Sequence, residues 1–102
     1  MDDFLNIISA VNDETRVLIL KFLCKHGEAC VCELQQSLNM IQSRLSRHLK
    51  ILKMAGFLQV RREGGWAYYK IQAPIDNLRQ ALLTEINKIN VKLPKKKTLC
   101  KT

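Results

Sequence analysis

Cys30 and Cys32, flanking Val31, are the residues of this chain best suited to chemistry. A thiolate is both a soft ligand and an oxidisable group. A close thiol pair therefore points to capture of a thiophilic ion or to a redox response. The spacing carries a geometric condition. On a helix of roughly 3.6 residues per turn, positions i and i+2 point about 200° apart. Both sulfurs reach one ion only where the backbone is unwound or extended, because alternate residues of an extended segment share a side. A position at the start of a helix favours the thiolate form. Cys24 falls on an apolar helical face and is expected as a buried, inert thiol. Cys100 lies in a lysine-rich C-terminal stretch. There is no Cys-x-x-Cys pair, no phosphate-cradling glycine loop and no nucleophile–base–orienter set, which disfavours a small thiol enzyme such as an arsenate reductase.

The second chemical signal is charge. The chain of 102 residues carries a formal net charge of +8. No acid occurs between Leu34 and Leu58, while Arg44, Arg47, Lys50, Lys53, Arg61 and Arg62 all precede Glu63. Lys92, Lys95, Lys96, Lys97 and Lys101 form a later block. A basic surface of this kind suits a polyanion, the alternative being a solvated face. Gln42, Ser43, Arg44, Ser46, Arg47 and His48 are the residues expected to meet DNA. Arginine can pair with guanine edges or phosphates, glutamine with adenine, and serine permits close approach. For His48 a structural hydrogen bond is an equal alternative. Arg61 and Arg62 can reach a minor groove or phosphates.

Those side chains need elements to hold them. Phe4, Leu5, Ile7, Ile8 and Val11 mark a short helix, with Asn12 or Asp13 available to cap the next. Val17, Leu20, Leu23 and Cys24 mark one face of a second helix, ended by Gly27. A third covers about Val31 to Leu38, and Asn39 tolerates a left-handed turn. The fourth runs from about Gln42 to Ala55, with Leu45, Leu49 and Leu52 as its buried stripe. Strands follow near Phe57–Arg61 and Trp66–Ile71, joined at Glu63-Gly64-Gly65. Trp66, Tyr68 and Tyr69 are expected to pack in the sheet. Pro74 can open a last helix, where Ile75, Leu78, Leu82, Ile86 and Ile89 recur at helical spacing. The order predicts a mainly α domain with a small β-hairpin, a winged helix-turn-helix (α-α-α-α-β-β-α). This domain is expected over 1–93, followed by a basic flexible tail over 94–102.

These segments resemble the ArsR/SmtB family of metalloregulatory repressors. The resemblance is carried by Asp13-Glu14-Thr15-Arg16, Cys30-Val31-Cys32-Glu33-Leu34 and Ser46-Arg47-His48-Leu49-Lys50-Ile51-Leu52-Lys53. Ala55-Gly56-Phe57-Leu58 and Arg61-Arg62-Glu63-Gly64-Gly65-Trp66 continue it. It implies a homodimer, joined by the first and last helices, on an inverted-repeat operator of double-stranded DNA. The hydrophobic content of 47% fits surplus apolar surface for a partner subunit. The arsenic-responsive branch implies trivalent arsenic or antimony as inducer, held by Cys30 and Cys32. Cys100 can supply a third sulfur, from the same or the other subunit, the alternatives being Cys24 or no third thiol.

Three positions depart from that pattern. Ile41 stands where a polar cap is common, Arg44 where a smaller residue is common, and Gln35 where the arsenic branch often has a further cysteine. Zinc or cobalt sensing through the last helix is disfavoured, because that helix offers Asp76 and Glu85 but no histidine. Cadmium or lead sensing uses additional N-terminal cysteines, and none precedes Cys24. The expected function is an arsenic- or antimony-responsive repressor that leaves its operator when the thiolates are occupied. The alternatives are a cadmium/lead-responsive or thiol-redox-responsive repressor of the same fold. Met1-Asp2-Asp3 lacks the basic start of a secretory leader, and no segment has the length and apolarity of a membrane span, so a cytoplasmic protein is expected.

Overall fold

Asp13 leaves the first helix in extended conformation and accepts a hydrogen bond from the Arg16 backbone N–H at 3.1 Å, which starts the second. Similar local signals divide the rest of this computed structural model, which describes residues 1–96. The elements are α1 (Asp2–Ala10), α2 (Glu14–His26), β1 (Ala29–Cys30), α3 (Val31–Leu38), α4 (Gln42–Met54), β2 (Leu58–Glu63), β3 (Trp66–Ile71) and α5 (Asn77–Lys88). Asn39 takes the left-handed conformation (φ 53°) that ends α3 and turns the chain into α4. Gly64 and Gly65, at φ 58° and 82°, make the two-residue loop between β2 and β3. Two successive positive φ values match the right-handed twist of a hairpin, and glycine takes them without Cβ strain.

The core lies where α2, α4 and α5 meet the base of the hairpin. Leu45, Leu49 and Leu52 of α4, Leu20, Phe22 and Leu23 of α2, and Phe57 all belong to one buried cluster. Leu34 brings α3 into the same cluster, and Leu83 and Ile86 bring α5. Burial of this kind is worth roughly 1.5–3 kcal/mol per large side chain, which places most of the stability in these helices. Lys21 is the unexpected member of the interior at 6% exposure. Its Nζ donates to the carbonyl oxygens of Ile86 (3.1 Å), Asn87 (3.5 Å) and Ile89 (2.8 Å) at the end of α5, where the Ile86 carbonyl also accepts the Ile89 N–H at 3.0 Å.

Four expectations need correcting. First, the sheet among the described residues has three strands in the order β1-β3-β2, all antiparallel. The extra strand is only Ala29–Cys30, pairing with Tyr69 and Tyr68, too short to show any periodicity. Second, Pro74 does not open α5; Asp76 occupies the cap position and the helix begins at Asn77. Third, Cys24 is exposed rather than buried, because it falls at the edge of the apolar stripe of α2. Fourth, β2 continues two residues beyond Arg61, to Glu63. In the stretch expected to be flexible, Pro94 and Lys96 are half-buried, and Lys96 Nζ donates to the Glu28 carbonyl at 2.8 Å. No helix among the described residues is long and apolar enough to cross a membrane.

Candidate nucleic-acid interface and thiol site

The α3–turn–α4 unit presents α4 outward. Its apolar stripe holds it to the core, so Gln42, Ser43, Arg44, Ser46, Arg47 and Lys50 are all exposed. The start of α4 has no side-chain cap, since Ile41 stands there with its own side chain exposed. Unsatisfied N–H groups at that end remain available to an external acceptor.

His48 is the exception on this helix. It is buried at 9% exposure, and its Nδ1 lies 3.2 Å from Arg16 Nη1. Arg16 also donates from Nε to the Ala10 carbonyl (2.7 Å) and from Nη2 to that of Ser9 (3.3 Å). One guanidinium thus joins the end of α1, the start of α2 and the middle of α4. Burial lowers the pKa of His48, with Arg16, Arg44 and Arg47 pushing the same way and Asp13 opposing them. Of the two readings open for His48, the geometry matches the structural hydrogen bond. No local sequence pattern marks Arg16 for this role, because its partner is 32 residues away.

The two wing arginines part company. Alternate residues of a strand face opposite sides of the sheet. Arg62 pairs across the hairpin with Ala67. With Gln42, Ser46, Trp66 and Cys32 it lines a groove of about 520 Å³ between α3, α4 and the wing. Arg61 pairs with Tyr68 and lies over that ring, 4.6 Å from its centroid. Its guanidinium donates to both carboxylate oxygens of Glu28, at 2.8 and 3.2 Å, and also pairs with Glu63. The hydrogen bond from Arg61 holds the Glu28 carboxyl below the usual carboxylate range. Tyr68 and Tyr69 are half-buried in the sheet as expected, whereas Trp66 is 39% exposed at the groove.

The thiol pair straddles the junction of β1 and α3. Cys30 is extended (φ −79°, ψ 161°) and caps α3: its Sγ accepts from the Glu33 N–H at 3.4 Å, and the Glu33 carboxylate accepts from the Cys30 N–H at 3.0 Å. This reciprocal arrangement satisfies two donors at once. Cys30 and Glu33 are both buried, whereas Cys32 is half-buried with Gln36 Nε2 at 3.6 Å from its Sγ. The strict helical geometry considered for the pair therefore applies only to Cys32. Among the described residues no group of three or more Cys, His, Asp or Glu is placed to hold a metal ion. Cys100 lies outside the described residues.

A helix-turn-helix with a basic outer helix and a β-hairpin beside it defines the class of winged helix-turn-helix regulators. The profile of the bacterial regulatory protein, arsR family, matches residues 13–60, and the chain belongs to this family. Arsenic resistance transcriptional regulator ArsR1 of Pseudomonas putida is 36% identical over 77 residues, covering 76% of this chain and 60% of that protein. An uncharacterized HTH-type transcriptional regulator of Methanocaldococcus jannaschii is 45% identical over 65 residues, covering 64% of this chain and 73% of that protein. A cadmium resistance transcriptional regulatory protein, a CadC homolog of Staphylococcus aureus, is 35% identical over 69 residues, 68% of this chain and 57% of its own length. The chain thus spans well under the full length of several curated relatives it matches. Among solved structures, HlyU from Vibrio cholerae superposes with a TM-score of 0.73 at 26% identity, covering 85% of this chain and 90% of that one. The homodimeric winged helix-turn-helix domain of Mb0332 from Mycobacterium bovis gives 0.73 at 26%, covering 85% and 77%. Membership in a family of transcriptional regulators sets aside the thiol-enzyme alternative.

Proposed function

We propose that this chain is a cytoplasmic repressor that binds operator DNA as a homodimer and releases it when trivalent arsenic or antimony is captured by cysteine thiolates. One observation carries the reading. Cys32 lines the same groove as Gln42, Ser46 and Arg62, while Cys30 caps the helix that supports α4. An ion drawing on both sulfurs takes Cys30 Sγ from the Glu33 N–H and disturbs the start of α3, next to the DNA-facing surface. Allosteric coupling is commonly worth about 1–3 kcal/mol, or roughly 5- to 150-fold in affinity.

In this reading Gln42, Ser43, Arg44, Ser46 and Arg47 meet the DNA from α4, and Arg62 meets it from the wing. The donors suit a thiophilic ion, since soft thiolates prefer it over hard cations. Cys100 is the proposed third sulfur. Lys96 is bound to the Glu28 carbonyl, two residues before Cys30, and four residues of chain span at most about 14 Å. Dimerisation is supported by the exposed apolar face of α1, where Phe4 and Leu5 are 52% and 53% exposed. The homodimeric state of the Mb0332 domain points the same way.

A gel-shift titration with arsenite, cadmium and zinc tests the proposal. Arsenite is expected to release DNA. The cadmium regulator among the relatives favours a second reading, in which cadmium releases DNA and arsenite does not. Release by peroxide, reversed by a reductant and without an arsenite response, would replace both by a redox switch.

A further inference from the structure

Arg61 and Arg62 are adjacent, equally basic and both on the wing, yet only one faces the groove beside α4. Arg61 points to the opposite face of the sheet, where Glu28 takes its Nε and Nη2 in a two-pronged pair and Glu63 takes Nη1. The ring of Tyr68 lies beneath it. A single exposed ion pair contributes little. Here one guanidinium has a bidentate carboxylate, a second carboxylate and an aromatic face, and its side chain is 48% exposed. Glu28 is itself fixed, since Lys96 holds its carbonyl and the positive fields of Arg61, Lys70 and Lys96 act on its carboxylate. A planar carboxylate gripped by a guanidinium fork occupies the donors that would otherwise grip a phosphate.

We infer that Glu28 is a positioning residue that substitutes for phosphate within the protein, holding Arg61 off the DNA and leaving Arg62 as the wing cation. The inference rests on the proposed DNA-binding function but not on the inducer. Phosphate contacts are independent of sequence, so a short mixed-sequence duplex serves as the probe. Each phosphate contact adds about 0.9 to the steepness with which log affinity falls against log salt.

Binding is measured by fluorescence anisotropy across a salt series, with circular dichroism to verify that each variant is folded. Arg62→Ala is expected to weaken binding and flatten the salt dependence, whereas Arg61→Ala leaves both as in the wild type. Glu28→Gln is expected to bind more tightly, with its advantage shrinking about three- to fourfold between roughly 50 and 200 mM salt. Adding Arg61→Ala to Glu28→Gln should abolish that gain. If Arg61→Ala alone flattens the salt dependence as Arg62→Ala does, or if Glu28→Gln matches the wild type, the inference is overturned. Failure of the wild type to bind the duplex at all would overturn the DNA-binding function, and this inference with it.

Discussion

Arg16 Nη1 meets His48 Nδ1 at 3.2 Å, tying the entry of α2 to the inner side of α4. The imidazole is buried and surrounded by more positive than negative charge, and its pKa is lowered. The native state therefore resists protonation there more than the unfolded chain does. Stability from this group is complete above the ordinary histidine value of 6.5 and declines as the pH falls below it, toward the lowered native value. Urea denaturation across this range should show stability falling with acid in the wild type. In His48→Gln that component should disappear. An unchanged slope would mean that His48 is not the group responsible. The Asp13 pKa is lowered too, but its contribution is lost only below 3.8, whereas the histidine contribution begins to fall below 6.5.

The cap at Cys30 predicts a split between two substitutions. Serine is a favourable cap, so Cys30→Ser should retain the bond from the Glu33 N–H, while Cys30→Ala should lose it at a cost of about 0.5–2 kcal/mol. In the proposed function, Cys30→Ser and Cys32→Ser each leave operator affinity intact and lose the response to arsenite. Gel shifts with and without arsenite measure both properties. Equal loss of the two in a folded variant would contradict the role assigned to the thiols.

Lys21→Met keeps an apolar stem in the same space and removes the donor to Ile86, Asn87 and Ile89. The exposed end of α5 can recover some hydrogen bonds from water, but the bond to Ile86 is buried. A loss of about 1–3 kcal/mol is expected in chemical denaturation, with the end of α5 exchanging its amide hydrogens faster. Wild-type stability would show that the three bonds contribute nothing net.

Gly56 sits at φ 84°, and a Cβ there would lie 2.7 Å from Arg79 Nε, the atom that donates to the Ala55 carbonyl. Gly65 has a similar φ of 82° but open space around it. Gly65→Ala should cost only the left-handed strain, about 1–2 kcal/mol. Gly56→Ala should cost more, and in an Arg79→Ala background its cost should fall to that of Gly65→Ala. Denaturation of the four proteins in that cycle, with Gly65→Ala as reference, measures the difference.

The sequence alone determined the order of helices and the hairpin, because those depend on local rules. Apolar residues recur at helical spacing along α2, α4 and α5, and Asp13, Gly27 and Asn39 act within a turn of themselves. Glycines at 64 and 65 specify the hairpin loop. It also identified the residues that form the basic face of α4, since a helix buried on Leu45, Leu49 and Leu52 must turn its other sides outward. What it left open were partners distant along the chain. His48 and Arg16 are 32 residues apart, Arg61 and Glu28 are 33, and Lys21 and Ile89 are 68. No periodicity records which distant charge a side chain will meet. β1 is too short to carry a pattern and exists only because β3 offers it hydrogen bonds. Tertiary packing therefore decided which basic side chains of α4 and the wing are engaged by distant residues of the protein.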